Sequence, residues 1–348
     1  MAFELSQDQR ALADLLVKFC STELTSEYIR KRFESDQITD QKLRTKLAEL
    51  GIFELFDQFP PVASALMDLG IVAGCCGFSL MPESLIENLF AGPFLASCLL
   101  GEPERAKLAD FVQLQELCRG SLLGTVGAAV VSKNADAELR LVPQAGQARY
   151  LLLLNDAGAQ VVTLVDLKSP GVTLAPEQVL DRTLRRSRIS LQGVRGLDLK
   201  CRSNPFRAFA FLKACESIGA ARRAVEMTAA YVKERRQFDS PIGAFQAVQH
   251  RLADMYLKLE ALQALSRFAG WAHGNSIEQF DLSAAALIAQ TAEHTPWILE
   301  SAIQLHGGIG FTWEYDLHLL LRRVQTNSAL YGPPADNNEH LIELARNQ

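Results

Sequence analysis

The sequence predicts an α+β protein built in three blocks, helical over 1–116, β over 117–202 and helical again over 203–348. Three observations predict it. Apolar residues recur at helical spacing behind capping residues in the first third. The middle loses that phase and breaks into short apolar runs separated by Gly, Pro, Asn and Asp, the pattern of a compact antiparallel β unit. The last third returns to long apolar-periodic segments. A chain of 348 residues is long enough for two or three such packed units.

Ser6 and Gln9 form a capping box, and Ala11, Leu12, Leu15, Leu16 and Phe19 follow on one helical face. A second amphipathic run carries Leu43, Leu47 and Leu50 and stops at Gly51. Pro60-Pro61 break the chain before an apolar segment from Val62 to Val72, and helix is expected to continue to about Leu117. From about Ser121 the character changes. Leu122 to Val131, Leu139 to Val142, Tyr150 to Leu154, Val161 to Val165 and Val172 to Leu174 are expected strands, with Arg188 to Leu191 the last of them. Phe206 to Lys233, Ala244 to Gly270 and Leu282 to His306 are expected helices, the last kinked where Thr295 can cap a fresh turn that begins at Pro296.

Apolar residues make up 48% and charged residues 22%, ordinary values for a globular protein. The net charge of −5 offers no basic field for nucleic acid or an anionic membrane. Seven cysteines form no CxxC pair, and neither His250 nor His306 has a second ligand at metal spacing. Adjacent Cys75 and Cys76 read as core thiols. Met1-Ala2-Phe3-Glu4-Leu5 lacks the features of a secretion signal, and no run nears about 18 apolar residues, so a cytoplasmic protein without a membrane span is expected.

Two segments carry more specific information. Gln304-Leu305-His306-Gly307-Gly308-Ile309-Gly310-Phe311-Thr312 is a helix stopping on glycines, which permit positive φ and close backbone approach to a ligand. Glu234-Arg235-Arg236-Gln237-Phe238 is a charged, Phe-anchored corner, and it continues through Phe245-Gln246-Ala247-Val248-Gln249-His250. Arginine's planar fork suits a pyrophosphate. In this order and separation, the two segments resemble the C-terminal domain of acyl-CoA dehydrogenases from about Ala208 to Arg323.

That resemblance implies an acyl-CoA dehydrogenase-like fold with an N-terminal helical domain, a shortened middle β domain and a C-terminal four-helix bundle that assembles subunits. It implies FAD as cofactor and an acyl-CoA as substrate. Arg235 would meet the FAD pyrophosphate, with Gln237 beside it and Phe238 packed on the cofactor. Gln246 would hold the nucleotide end, and Gln304 with Gly307 and Gly308 would close over the ADP half of a neighbouring subunit's flavin.

The resemblance also exposes gaps. The family's base is a Glu that follows a Tyr after the last motif Arg; that position reads Tyr331 or Gly332 here. In a minority it stands on the first long helix of this domain, at Ala210 here. Glu216 on the same helix lies roughly 120° around the axis from Ala210. The flavin-facing strand segments of the β domain have no counterpart. The leading expectation is therefore the FAD-anchoring subunit, without a base of its own, of a heteromeric acyl-CoA dehydrogenase, a kind known for bulky acyl groups such as steroid side chains. Two alternatives stay open: a self-sufficient enzyme whose base has moved to Glu216 or Asp336, and a flavin-less binding relative. Oligomerisation is expected in any case, because a monomer would leave Phe280, Leu282 and Leu287 in water. The electron acceptor is not legible.

Overall fold

The computed structural model describes residues 4–37, 39–54, 64–112, 116, 122–128, 136–154 and 160–346. Pro60-Pro61 and the segment start at Val62 lie outside the described residues, as do Leu117, Ser121 and the run from Ala129 to Val131.

The N-terminal block follows its caps. Helix α1 (Gln7–Glu23) opens on the expected box, with Gln9 N–H donating to Ser6 Oγ at 3.1 Å and Ser6 N–H to Gln9 Oε1 at 2.9 Å. Helices α2 (Ser26–Glu34) and α3 (Gln41–Glu49) are capped by Thr25 and Asp40. Helix α4 (Ala65–Phe78) is apolar around most of its circumference and buried, as such a helix must be. A π turn at Phe90–Phe94 joins α5 (Leu85–Leu89) to α6 (Leu95–Cys98), and α7 (Glu102–Phe111) closes the block.

The β unit is two packed sheets. One has the order β1 (Gly124–Ala128), β3 (Tyr150–Leu154), β4 (Val161–Asp166), β7 (Leu197–Lys200); the other has β2 (Ala137–Pro143), β6 (Arg186–Leu191), β5 (Val172–Glu177). All pairings are antiparallel except β1 with β3, which is parallel. The last strand is β7, not the run ending at Leu191. Strand β3 is buried on both faces, which accounts for its unbroken apolar sequence. Leu151 and Leu153 fill the space between the sheets, while Tyr150, Leu152 and Leu154 join the helical core.

Helix α8 (Pro205–Glu234) starts on an Asn204 cap with Pro205 in its first turn and is the axis of the molecule. A tight hairpin, β8 (Arg236–Gln237) and β9 (Ser240–Pro241), leads to α9 (Gln246–Asn275), α10 (Ile277–His306), α11 (Leu317–Tyr331) and α12 (Pro334–Arg346). Pro296 lies inside a helix that runs unbroken from 277 to 306. Thr295 does not cap a new turn; its hydroxyl donates back to the Thr291 carbonyl at 2.8 Å. Phe280 and Leu287 correct a second expectation. Both are fully buried within the single chain and Leu282 is partly buried, because α8, α9 and α12 cover α10. Exposed apolar residues lie elsewhere, among them Phe238, Phe245, Leu257, Ile309, Phe311 and Trp313. No helix among the described residues is long and apolar enough to cross a membrane.

Helices α4 and α8 touch backbone to backbone. A Cβ on Gly77 would stand 1.7 Å from the Glu216 carbonyl oxygen, and one on Gly219 would stand 1.9 Å from that of Gly74. Gly77→Ala or Gly219→Ala is expected to lower unfolding free energy by about 1–3 kcal/mol in urea titrations. Gly308→Ala is the control: nothing lies within 4 Å of its Cβ, and its loss should be a fraction of that.

Candidate functional site

The two motif segments meet at one end of the helical bundle. Tyr231, in the last turn of α8, stacks on His306, in the last turn of α10, with ring centroids 4.3 Å apart. His306 Nδ1 bonds to the Ala302 carbonyl at 2.7 Å, and Tyr315 closes the group from the far side of the glycine turn. Burial lowers the His306 pKa, so its imidazole stands neutral in this stack. His306 thus clamps the end of its own helix.

On this clamp the expected cofactor residues sit in the open. Arg235 caps α8 and its side chain is exposed. The hairpin that follows turns through positive φ at Phe238 (50°) and Asp239 (62°), a conformation L residues resist. It holds Phe238 outward at 89% exposure, with its ring 6.2 Å from that of Phe245. Gln237 and Gln246 are exposed on the same corner. Across the clamp, Gln304 is exposed at the end of α10, Gly307 turns at φ 64°, and Gly308 has an empty margin where a Cβ would be. This donor set fits the nucleotide half of FAD: a guanidinium, three amides, a bare glycine backbone and aromatic rings share one surface. Among the described residues, none buries this surface.

A separate cavity of about 290 Å³ lies between α8, the end of α11 and the β unit. Ala210, Phe206 and Phe209 line it from α8, Ala329 and Leu330 from α11, Val126 and Gly127 from β1. Ala210 and the chain leading into Tyr331 and Gly332 thus border one space. Of the positions at which the resemblance places a base, Ala210 lines this cavity and Tyr331 and Gly332 follow directly on Leu330 in its wall; neither Ala210 nor Gly332 carries a carboxylate. Glu138, which also lines the cavity, is half exposed and paired with Arg188 at 3.5 Å. A larger cavity of about 440 Å³, bordered by Met67, Phe211, Ile218 and Tyr256, touches none of the motif residues.

Glu216 and Asp336 do not reach the smaller cavity's lining. Asp336 is exposed in the first turn of α12. Glu216 is 1% exposed and bound on both oxygens. Arg323 Nη1 donates to Oε1 at 2.6 Å, Asn327 Nδ2 donates to Oε2 at 3.0 Å, and Lys213 pairs with it from one turn before. Burial alone would raise the Glu216 pKa, but the charges of Lys213 and Arg323 outweigh it and bring it down to about 2. A carboxylate so stabilised has no driving force to take a proton, and its role is structural.

Local sequence reading misses this network. Arg323 is fully buried, pairs with Asp181 as well as Glu216, and donates to Thr183 Oγ1 at 2.7 Å and the Met81 carbonyl at 3.1 Å. Lys213 also reaches Glu87 at 3.2 Å, and both line the cavity. Cys75 and Cys76 are core thiols as expected, burial pushing the first up to about 12 and the second well above its ordinary value. Among the described residues no group of three or more His, Cys, Asp or Glu could hold a metal.

With the geometry in hand, three comparisons bear on it. Residues 203–339 match the family described as acyl-CoA dehydrogenase, C-terminal domain. Over 342 residues the chain is 28% identical to acyl-CoA dehydrogenase IpdE2 of Mycolicibacterium smegmatis, covering 97% of this chain and 98% of that one. The C-terminal part of the chain thus matches the acyl-CoA dehydrogenase family, and the similarity to an acyl-CoA dehydrogenase runs the length of the chain. Its fold is that of a solved Tcur3481–Tcur3483 steroid ACAD variant (TM-score 0.82, 24% identity, 98% of each chain) and of the ChsE4–ChsE5 complex from Mycobacterium tuberculosis (TM-score 0.80, 20% identity, 100% of each).

The network yields a pH prediction. Glu216 has a folded pKa of about 2 against an ordinary 4.5, so its stabilisation is present above pH 4.5 and is lost as pH falls toward 2. In Glu216→Gln, unfolding free energy should depend less on pH across that window than in the parent. Arg323→Met, which leaves Asp181 and Glu216 buried without their partner, should cost about 3–5 kcal/mol at pH 7 in denaturant titration.

Proposed function

We propose that this chain is the FAD-anchoring subunit of a heteromeric acyl-CoA dehydrogenase, with the carboxylate base supplied by a partner subunit. The observation that carries this reading is the cavity lined by Ala210 and Leu330, where one base position is an alanine and the other, Tyr331 or Gly332, follows directly in sequence without a carboxylate. The exposed surface at Arg235, Gln304 and Gly308 supports the other half of it. A nucleotide cradle open on every side works only when another chain closes it.

FAD, when bound, supplies the acceptor for the β-hydride of the acyl-CoA. This chain's part is binding. Arg235 would hold the pyrophosphate as a fixed positive fork, and Gln237 would add a polar contact beside it. Gln246 would hydrogen-bond the nucleotide end. Gln304 and the Gly308 backbone would close over the ADP half, and Phe238 would exclude water from its flank. No proton is taken by this chain: Ala210 and Gly332 have no group to accept one, and Glu216 is fully committed to Arg323, Lys213 and Asn327.

The substrate class that fits is an acyl-CoA thioester with a bulky acyl group. The wall that lacks a base is also smaller by a side chain, which leaves room in a shared site. The assembly would be soluble and cytoplasmic, with one complete flavin site per pair of unlike subunits. The alternative of a self-sufficient enzyme has no such observation behind it, because neither Glu216 nor Asp336 borders the cavity.

The test is the visible spectrum and solution mass of the chain purified alone and with an acyl-CoA dehydrogenase partner. The chain alone should be colourless, and the complex should show flavin bands and bleach anaerobically with an acyl-CoA. Arg235→Ala in the complex should lower FAD affinity by about tenfold or more, equivalent to one lost charged hydrogen bond. A yellow homomer that bleaches with substrate would defeat the proposal.

A further inference from the structure

Three guanidinium groups gather around Phe33, away from the proposed cofactor surface, where the end of α2 meets the loop before β6 and the start of α11. Arg182 and Arg322 each lie 5.7 Å from the ring centroid of Phe33. Arg185 Nη2 donates to the Phe33 carbonyl at 3.5 Å, and Arg322 Nη1 donates to the Leu180 carbonyl at 3.2 Å. An aromatic face and neutral carbonyls hold these cations in place without cancelling their charge. The carboxylate that meets them, Asp36, lies 3.6 Å from both Arg182 and Arg185, but it is 96% exposed and screened by water.

The remaining neighbours do not restore neutrality. Arg30 is bonded to Asp316 at 2.7 Å, Arg32 approaches Glu83 at 4.0 Å, and these two pairs balance within themselves. His318 beside Arg322 is kept neutral by burial and by that charge. Burial lowers the Arg185 pKa, and the charge of Arg182 lowers it further, which marks the repulsion the fold tolerates here. Three positive charges thus face one exposed negative charge. Next to them stands Trp313, 5.2 Å from Phe33 in an edge contact and 38% exposed.

We propose that Arg182, Arg185 and Arg322 bind a phosphate monoester dianion, with Trp313 as a face on which an attached nucleoside base stacks. Arg182 and Arg185 meet at one Asp36 oxygen, and two planar forks converging on one point match the oxygens of a phosphate group better than a single carboxylate, with Arg322 adding positive charge from beside Phe33. The exposed indole gives a nucleotide an advantage over free phosphate. This site is separate from Arg235 and the glycine turn and does not depend on what binds there.

Isothermal titration of the full chain, in the assembly in which it purifies, tests this with inorganic phosphate, AMP and adenosine at low salt. Saturable binding of phosphate is expected, tighter binding of AMP, and none of adenosine. The double variant Arg182→Ala/Arg185→Ala should weaken phosphate binding by about tenfold or more, because two charge-assisted contacts are lost. Asp36→Asn should tighten it, a gain that a folding defect cannot mimic. Arg235→Ala should leave phosphate binding unchanged while weakening FAD, so this site and the cofactor reading fail separately. The proposal is overturned if the parent shows no saturable phosphate binding, or if phosphate binds the double variant as tightly as the parent. AMP binding no tighter than phosphate would remove the stacking role of Trp313.

Discussion

Arg323 is the constraint around which the rest of the structure is arranged. Its guanidinium joins four separate pieces of chain: the Met81 carbonyl after α4, Asp181 and Thr183 in the β unit, Glu216 on α8, and its own helix α11. A buried guanidinium is tolerable only when its donors are met, and here the partners come from all three blocks. The three blocks therefore cannot slide past one another without stranding a charge. A purely apolar junction would hold them together but would not fix their relative register. The backbone contact of α4 with α8 through Gly77 and Gly219 adds a steric limit in the same place.

That junction also decides what the adjoining cavity can do. Lys213 and Glu87 reach the cavity wall already paired, and Glu216 is held from behind by Arg323, so the space keeps no free acid or base from the network. The cavity is a shaped, mainly apolar recess. The surface proposed to hold the cofactor is complementary in character: polar, exposed and braced by the stack of Tyr231, His306 and Tyr315.

Much of the architecture is legible in the sequence because it is written locally. The Ser6–Gln9 box, the strands from Tyr150 to Leu154 and Val161 to Val165, and the helix from Phe206 to Lys233 each carry their own periodicity or cap. What is not legible depends on distant partners. The parallel pairing of β1 with β3 leaves no mark on either strand, and Leu-Asp-Leu-Lys at β7 is too short to stand out. Phe280 and Leu287 look like assembly contacts until α8, α9 and α12 are seen to cover them. The motif residues Arg235, Gln237, Phe238, Gln246 and Gln304 stand out by resemblance, and all of them lie exposed. The Arg323 network was not readable, since Asp181 and Glu216 lie more than a hundred residues away and carry no local pattern.

Strand β3 has a consequence for how the molecule is made. Tyr150 to Leu154 has no polar face, and a bare segment of that kind pairs readily with its like in another chain. On its helical-core side it meets α7, which precedes it in the sequence, with Phe111 6.3 Å from Tyr150. A ribosome releases the chain from its N-terminus. The cover is thus synthesised before the strand that needs it, and the most adhesive stretch of the polypeptide emerges into a surface already waiting for it.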